Sequence, residues 1–94
     1  MDIRVVDGIG MSSRLNMLAS SFRSLASGRI PPGTVESEYS ARANTLASFA
    51  EQASDEYSSR LYMAGFARYS VVRSESVPLL AMINNGLGTA YALP

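Results

Sequence analysis

Hydrophobic residues recur along this chain at helical intervals in two stretches, and a stiff turn separates them. Met11, Leu15, Leu18, Phe22 and Leu25 follow one another at steps of four and three, the period of helix-on-helix packing. They predict a helix over residues 12–27, with Ser13, Ser20, Arg23 and Ser24 on its polar face. Ser12 or Ser13 can cap the first turn, and Gly28 stands where a left-handed stop is easiest. Residues 28–33 read Gly-Arg-Ile-Pro-Pro-Gly. Each Pro bars the residue before it from helical angles, so this segment is a turn.

A second seam runs through Val35, Tyr39, Ala43, Leu46, Ala50, Ala53, Tyr57, Leu61 and Ala64, and Phe49, Phe66, Val71 and Val72 widen it. Thr34 is the expected N-cap, and the carboxylates of Glu36 and Glu38 suit the first turn of a helix. No Pro intervenes before Pro78 and the only Gly is Gly65, so the pattern predicts one long helix over 34–76. At 1.5 Å per residue it would run roughly 65 Å. A compact domain of this length has a radius of gyration of only about 12–13 Å. The first helix, roughly 24 Å long, could cover only part of the seam. Pro78 is expected to kink or end the long helix, with a short helix over 78–85 stopped by Asn84, Asn85 and Gly86. Residues 1–10, with Gly8 and Gly10, read as a flexible arm. Residues 86–94 read as an uncharged apolar tail, expected to dock on a neighbouring subunit. The fold class predicted is all-α, a single small domain. It is a helical hairpin with a short first helix, a Pro-containing turn and a long second helix kinked near Pro78.

Composition narrows the chemistry. Eight Arg balance eight Asp and Glu, with no Lys, and a neutral domain with dispersed charge lacks the clustered basic surface that nucleic acid requires. The chain has no Cys and no His. That removes thiol catalysis, thiolate zinc sites, the commonest metal ligands and the commonest general base. Charged residues interrupt every long apolar stretch as far as Glu75, so no spanning helix is expected. The first ten residues lack the basic and apolar regions of a cleaved secretory signal. The expectation is a protein that stays in the cytoplasm or leaves it by a route needing no such signal.

Few residues invite a catalytic reading. Glu51, Asp55 and Glu56 cluster at helical spacing, with Arg60 four residues after Glu56; a solvated face with an i,i+4 pair accounts for them. Serines abound without a base to activate them. Gly8-Ile9-Gly10 lacks the third glycine and the strand–loop–helix setting of a dinucleotide loop. No catalytic residue, cofactor, metal or small-molecule substrate is predicted. More informative is Leu61-Tyr62-Met63-Ala64-Gly65-Phe66-Ala67-Arg68. Ala64, Gly65 and Ala67 form a notch of small residues flanked by Met63, Phe66 and Tyr69. Interdigitated packing with another helix suits such a notch. That helix belongs either to the same chain or to a second subunit.

Tyr57-Ser58, followed by Leu61, Ala64-Gly65, Ala67-Arg68, Val71, Val72, Leu79 and Leu80, is similar to the C-terminal helix of the inner-rod subunits of bacterial type III secretion systems. The size of the chain, its short first helix and its Pro31-Pro32 turn also resemble those inner-rod and needle proteins and the related flagellar rod adaptor. The resemblance implies a non-enzymatic structural subunit, exported without a cleaved signal into a cell-envelope apparatus. It implies helical self-assembly through the C-terminal helix, with other apparatus proteins as partners. The expected interface is Tyr57, Leu61, Ala64, Gly65, Phe66, Ala67, Val71, Val72, Leu79, Leu80 and Ile83. Two other readings stay open: a soluble helical-hairpin adaptor or chaperone-like module using the seam as a partner groove, and an accessory subunit that completes another protein's fold.

Overall fold

The computed structural model describes residues 8–91. They form three α-helices, α1 (Gly8–Ser27), α2 (Glu36–Ser58) and α3 (Tyr62–Leu87), in a body measuring 42 × 23 × 17 Å. Side-chain pairs fix the directions. Ser12 meets Ser54 and Ser40 meets Ala26, so α1 and α2 are antiparallel. Glu56 meets Arg68 and Thr34 meets Met82, so α2 and α3 are antiparallel as well. The middle helix, α2, packs on both neighbours, while α1 and α3 barely meet each other.

The all-α expectation holds, but the hairpin becomes three helices. The long seam is real from Tyr39 to Tyr57, where Ala43, Leu46, Ala50 and Ala53 are all buried. It breaks at residues 59–61. Ser59 N–H donates to the Asp55 carbonyl, Arg60 N–H to Tyr57, and Leu61 N–H to Glu56 at 2.7 Å. With Arg60 at φ 63°, these bonds make the left-handed helix stop in which glycine usually sits. Each helix is then about 35–39 Å long, and the mismatch with a compact domain disappears. The phase also resets: Val35, just before α2, and Leu61, just before α3, are exposed, as is Ala64. In α3 the buried face is instead Gly65, Val72, Ser76, Leu79 and Ile83, at steps of seven, four, three and four.

Other local expectations also change. Pro78 does not end a helix, and α3 runs through it to Leu87. Pro78 and Ser74, whose carbonyl loses its partner, are both exposed, so water can satisfy that carbonyl. Burial of Ser76, Leu79 and Leu80 on either side holds the segment helical. The stop lies two residues later than Asn84-Asn85-Gly86 suggested, at left-handed Gly88. The N-cap position of α2 is Val35 rather than Thr34, and its first turn carries Glu36 and Glu38 as expected. Thr34 N–H closes the turn on the Pro31 carbonyl at 3.2 Å. With Pro32 and Gly33 (φ 82°) between them, the turn has the residue pattern of type II. Gly28 follows α1 without a positive φ. Ser12 and Ser13 lie inside α1, not at its cap, because the helix begins at Gly8. Residues 8–10 of the expected arm are thus helical; the rest of the arm and the end of the tail lie outside the described residues.

The core is one layer on each side of α2. Against α1 it stacks Ala19, Phe22 and Ala26 on Ala43, Leu46, Ala47 and Ala50, and α3 adds Val72, Leu79, Leu80 and Ile83. A second cluster of Met11, Leu15, Ala53 and Tyr57 closes the other end. Alanines along α2 let the neighbouring helix backbones approach closely. Beside that end lies a buried polar cross-link. Ser54 Oγ donates to the Ser12 carbonyl at 2.9 Å, Ser12 Oγ lies 2.7 Å from Ser54 Oγ, and Ser58 Oγ lies 2.6 Å from Ser12 Oγ. Among the described residues, no helix is long and apolar enough to cross a membrane.

Candidate functional site

The carboxylate cluster dissolves into separate structural contacts. Glu51 accepts from Arg23 Nε of α1 at 2.8 Å, and that hydrogen bond holds its carboxyl below the usual value and raises the Arg23 pKa. Glu56 accepts from Arg68 Nε of α3 at 2.6 Å, and the same guanidinium stands 6.0 Å over the Phe49 ring. The expected Glu56–Arg60 pair is replaced by this one, because Arg60 is spent on the helix stop. Among the described residues, no group of three or more His, Cys, Asp or Glu is placed to hold a metal ion.

The residues expected to form one interface divide between two surfaces. Tyr57, Gly65, Val72, Leu79, Leu80 and Ile83 are buried within the chain. The notch at Gly65 is filled by the chain's own Tyr57. A Cβ at position 65 would lie 2.9 Å from Tyr57 Cδ2 and 3.4 Å from the Ala53 carbonyl. Of the two helices weighed for that notch, the one found there is α2. Leu61, Ala64, Phe66, Ala67 and Val71 are exposed. At 100° per residue, Phe66 and Ala67 share the outward face of α3 with Met63, Ser70, Ser74, Val77 and Ala81, a strip without a charged residue.

A concavity lies elsewhere, between α1 and the end of α3. It is an open groove of about 670 Å³. Met17, Leu18, Phe22 and Leu25 form the α1 wall, and Leu80, Leu87, Thr89 and Tyr91 form the other. The sequence seam through Leu18 and Leu25 suggested that both face the partner helix. Instead Ala19 and Ala26 take those places against α2, and the two leucines turn half-buried toward the groove. The second wall depends on Asn84. Its Oδ1 accepts from Tyr91 N–H and Thr89 Oγ1, and its Nδ2 donates to the Tyr91 carbonyl, each at 2.8 Å. One amide thereby folds residues 88–91 back along α3.

Two cations, Arg14 and Arg29, line this groove, and among the described residues no carboxylate does. Arg14 comes from α1, which contains Arg14 and Arg23 but no Asp or Glu, and Arg29 from the turn that follows it. Arg23 is matched by Glu51 on the other side of the helix. Sequence reasoning missed Met17, Arg14 and Arg29; the signal for them was the breadth of the apolar arc on α1 and its lack of acids. Comparison with protein-family models, with curated proteins and with solved structures finds no match to this chain.

Proposed function

We propose that this protein is a non-catalytic helical module that binds a helix of a partner protein. The observation that carries this reading is the groove between α1 and α3, where Leu18, Leu25, Leu80 and Leu87 present apolar surface along a half-open cleft. Laying the apolar face of an amphipathic helix into such a groove is a recurring mode of recognition. A small-molecule site encloses most of its ligand; a half-open cleft lined along α1 from Arg14 to Gly28 fits a helix better.

The test is a titration of isotope-labelled full-length chain with a neutral synthetic helix bearing leucines on one face and glutamines elsewhere. Amide shifts should cluster at Met17, Leu18, Ser21, Leu25 and Leu87, and Leu25→Glu should abolish binding while leaving helical circular dichroism unchanged. Shifts confined to the outward face of α3, or none, would overturn the reading.

A second reading, a structural subunit of a secretion apparatus of the inner-rod or needle kind, is favoured by that outward face. A helix apolar on both sides is typical of one buried in a larger assembly, and Met63, Phe66 and Val77 are exposed large side chains. Under this reading the chain is exported without a cleaved signal, and its partners are further copies and other apparatus proteins. Light scattering decides: association that grows with concentration and vanishes in Phe66→Glu supports it, and a monomer at all concentrations refutes it.

A further inference from the structure

The two arginines of the groove say more about the occupant than its leucines do. Arg14 lies toward the start of α1 and Arg29 just past its end, fifteen positions apart by their numbers. Thirteen of those steps run along α1, roughly 20 Å at helical rise, and the last two lie beyond its end. Both are exposed, both line the cleft, and the apolar wall of Met17, Leu18 and Leu25 lies between them, with Ser21 beside it. Among the described residues that line the cleft, the charges are thus of one sign.

We propose that the groove selects an amphipathic helix carrying a carboxylate at each end of its apolar face. This rests on the reading of the groove as a helix-binding site and names the chemistry of its partner. Two acids about fourteen residues apart, four helical turns, share a face and span about 21 Å. They then reach Arg14 and Arg29 together while the leucines between them fill the cleft. Arginine suits the task, since its planar fork takes a carboxylate bidentately and stays charged at any working pH. A helix with lysines at the same two positions meets like charge at both ends. The charges set orientation and partner choice, and the apolar wall holds the helix.

The experiment uses the full chain and three synthetic helices with one leucine face. One is neutral, one carries Glu at two positions fourteen residues apart, and one carries Lys there. Affinities are read by fluorescence anisotropy at low and at high salt. The Glu helix should bind about tenfold more tightly than the neutral one, the product of two rim ion pairs of about threefold each. The Lys helix should bind more weakly than either. Salt should shrink the difference. In the Arg14→Gln/Arg29→Gln double variant the three affinities should fall within about twofold of one another, at the level of the neutral helix. Equal binding of all three by the unmodified chain, or a preference that survives in the double variant, overturns the charge proposal and leaves the groove reading standing. Failure of every helix to perturb groove amides overturns both. A dimer broken by Leu25→Glu assigns the groove to a second copy and overturns the acidic-helix proposal.

Discussion

The backbone of Gly86 lies directly against the ring of Pro31: a Cβ at position 86 would stand 2.7 Å from Pro31 Cβ and 3.4 Å from Pro32 Cδ. The turn between the first two helices and the last turn of the third are thus fitted to each other, and Pro31 is buried as a result. On propensity alone, Gly86→Ala should gain about 1 kcal/mol, since Gly is a poor residue within a helix. The two rings belong to a stiff turn and cannot swing aside, and overpacking typically costs about 1–3 kcal/mol. We expect net destabilisation, seen as a lower urea midpoint at unchanged slope.

Arg60 should respond in the opposite sense. Its φ of 63° costs an L side chain roughly 1 kcal/mol or more, which glycine does not pay. Arg60 is exposed, so Arg60→Gly removes strain and little contact. The melting temperature should rise by several degrees for a gain of about 1 kcal/mol. A fall would mean that the Arg60 side chain itself holds the junction between α2 and α3.

The buried serine cross-link predicts a non-additive pair. Ser54→Ala removes the donor to the Ser12 carbonyl and one partner of the Ser12 hydroxyl, which keeps the Ser54 carbonyl at 3.1 Å and Ser58 Oγ at 2.6 Å, and should cost about 0.5–1.5 kcal/mol. Ser12→Ala alone removes the same hydroxyl–hydroxyl contact, so the double variant loses it once rather than twice. The double variant should therefore be more stable than the sum of the single losses predicts, with a coupling of at least about 0.5 kcal/mol in a double-mutant cycle.

Tyr39 and Tyr57 carry buried hydroxyls that have no hydrogen-bond partner among the described residues. Burial raises both pKa values above 10.0, and the nearby phenols of Tyr91 and Tyr69 add to the effect at Tyr39 and Tyr57 respectively. A phenol whose folded pKa is raised binds its proton more tightly in the native state. Its contribution is complete below the unfolded pKa, about 10, and is lost as pH rises through that value toward the folded one. The chain should unfold progressively above about pH 10. Tyr39→Phe and Tyr57→Phe should each widen the alkaline range, at equal or greater stability at neutral pH. Denaturant midpoints at neutral and alkaline pH check both parts.

What the sequence reveals here is periodicity, and what it conceals is phase. Tyr39, Ala43, Leu46, Ala50, Ala53 and Tyr57 could be read as a buried seam because steps of four and three are set by helix geometry alone. The break after Ser58 could not, because Ser-Ser-Arg holds neither Gly nor Pro and the left-handed residue is an arginine. Tertiary packing imposes it. Pro78 misleads in the other direction: a proline is tolerated inside a helix when its unpaired carbonyl faces water. The groove escaped notice because Ala19 and Ala26 look like weaker core residues than Leu18 and Leu25. Close approach to an alanine-rich α2 reverses that ranking.

Sharing one central helix has a consequence for how the molecule breathes. The contact of α1 with α2 is more extensive than that of α3 with α2, and α1 and α3 scarcely brace each other. The weaker seam is the one that parts first in a sub-global opening. Amide protons of α3 should exchange with solvent ahead of those of α1 and α2. The groove is then a vice with one fixed jaw and one sliding jaw, and the sliding jaw carries Leu80, Leu87 and Tyr91.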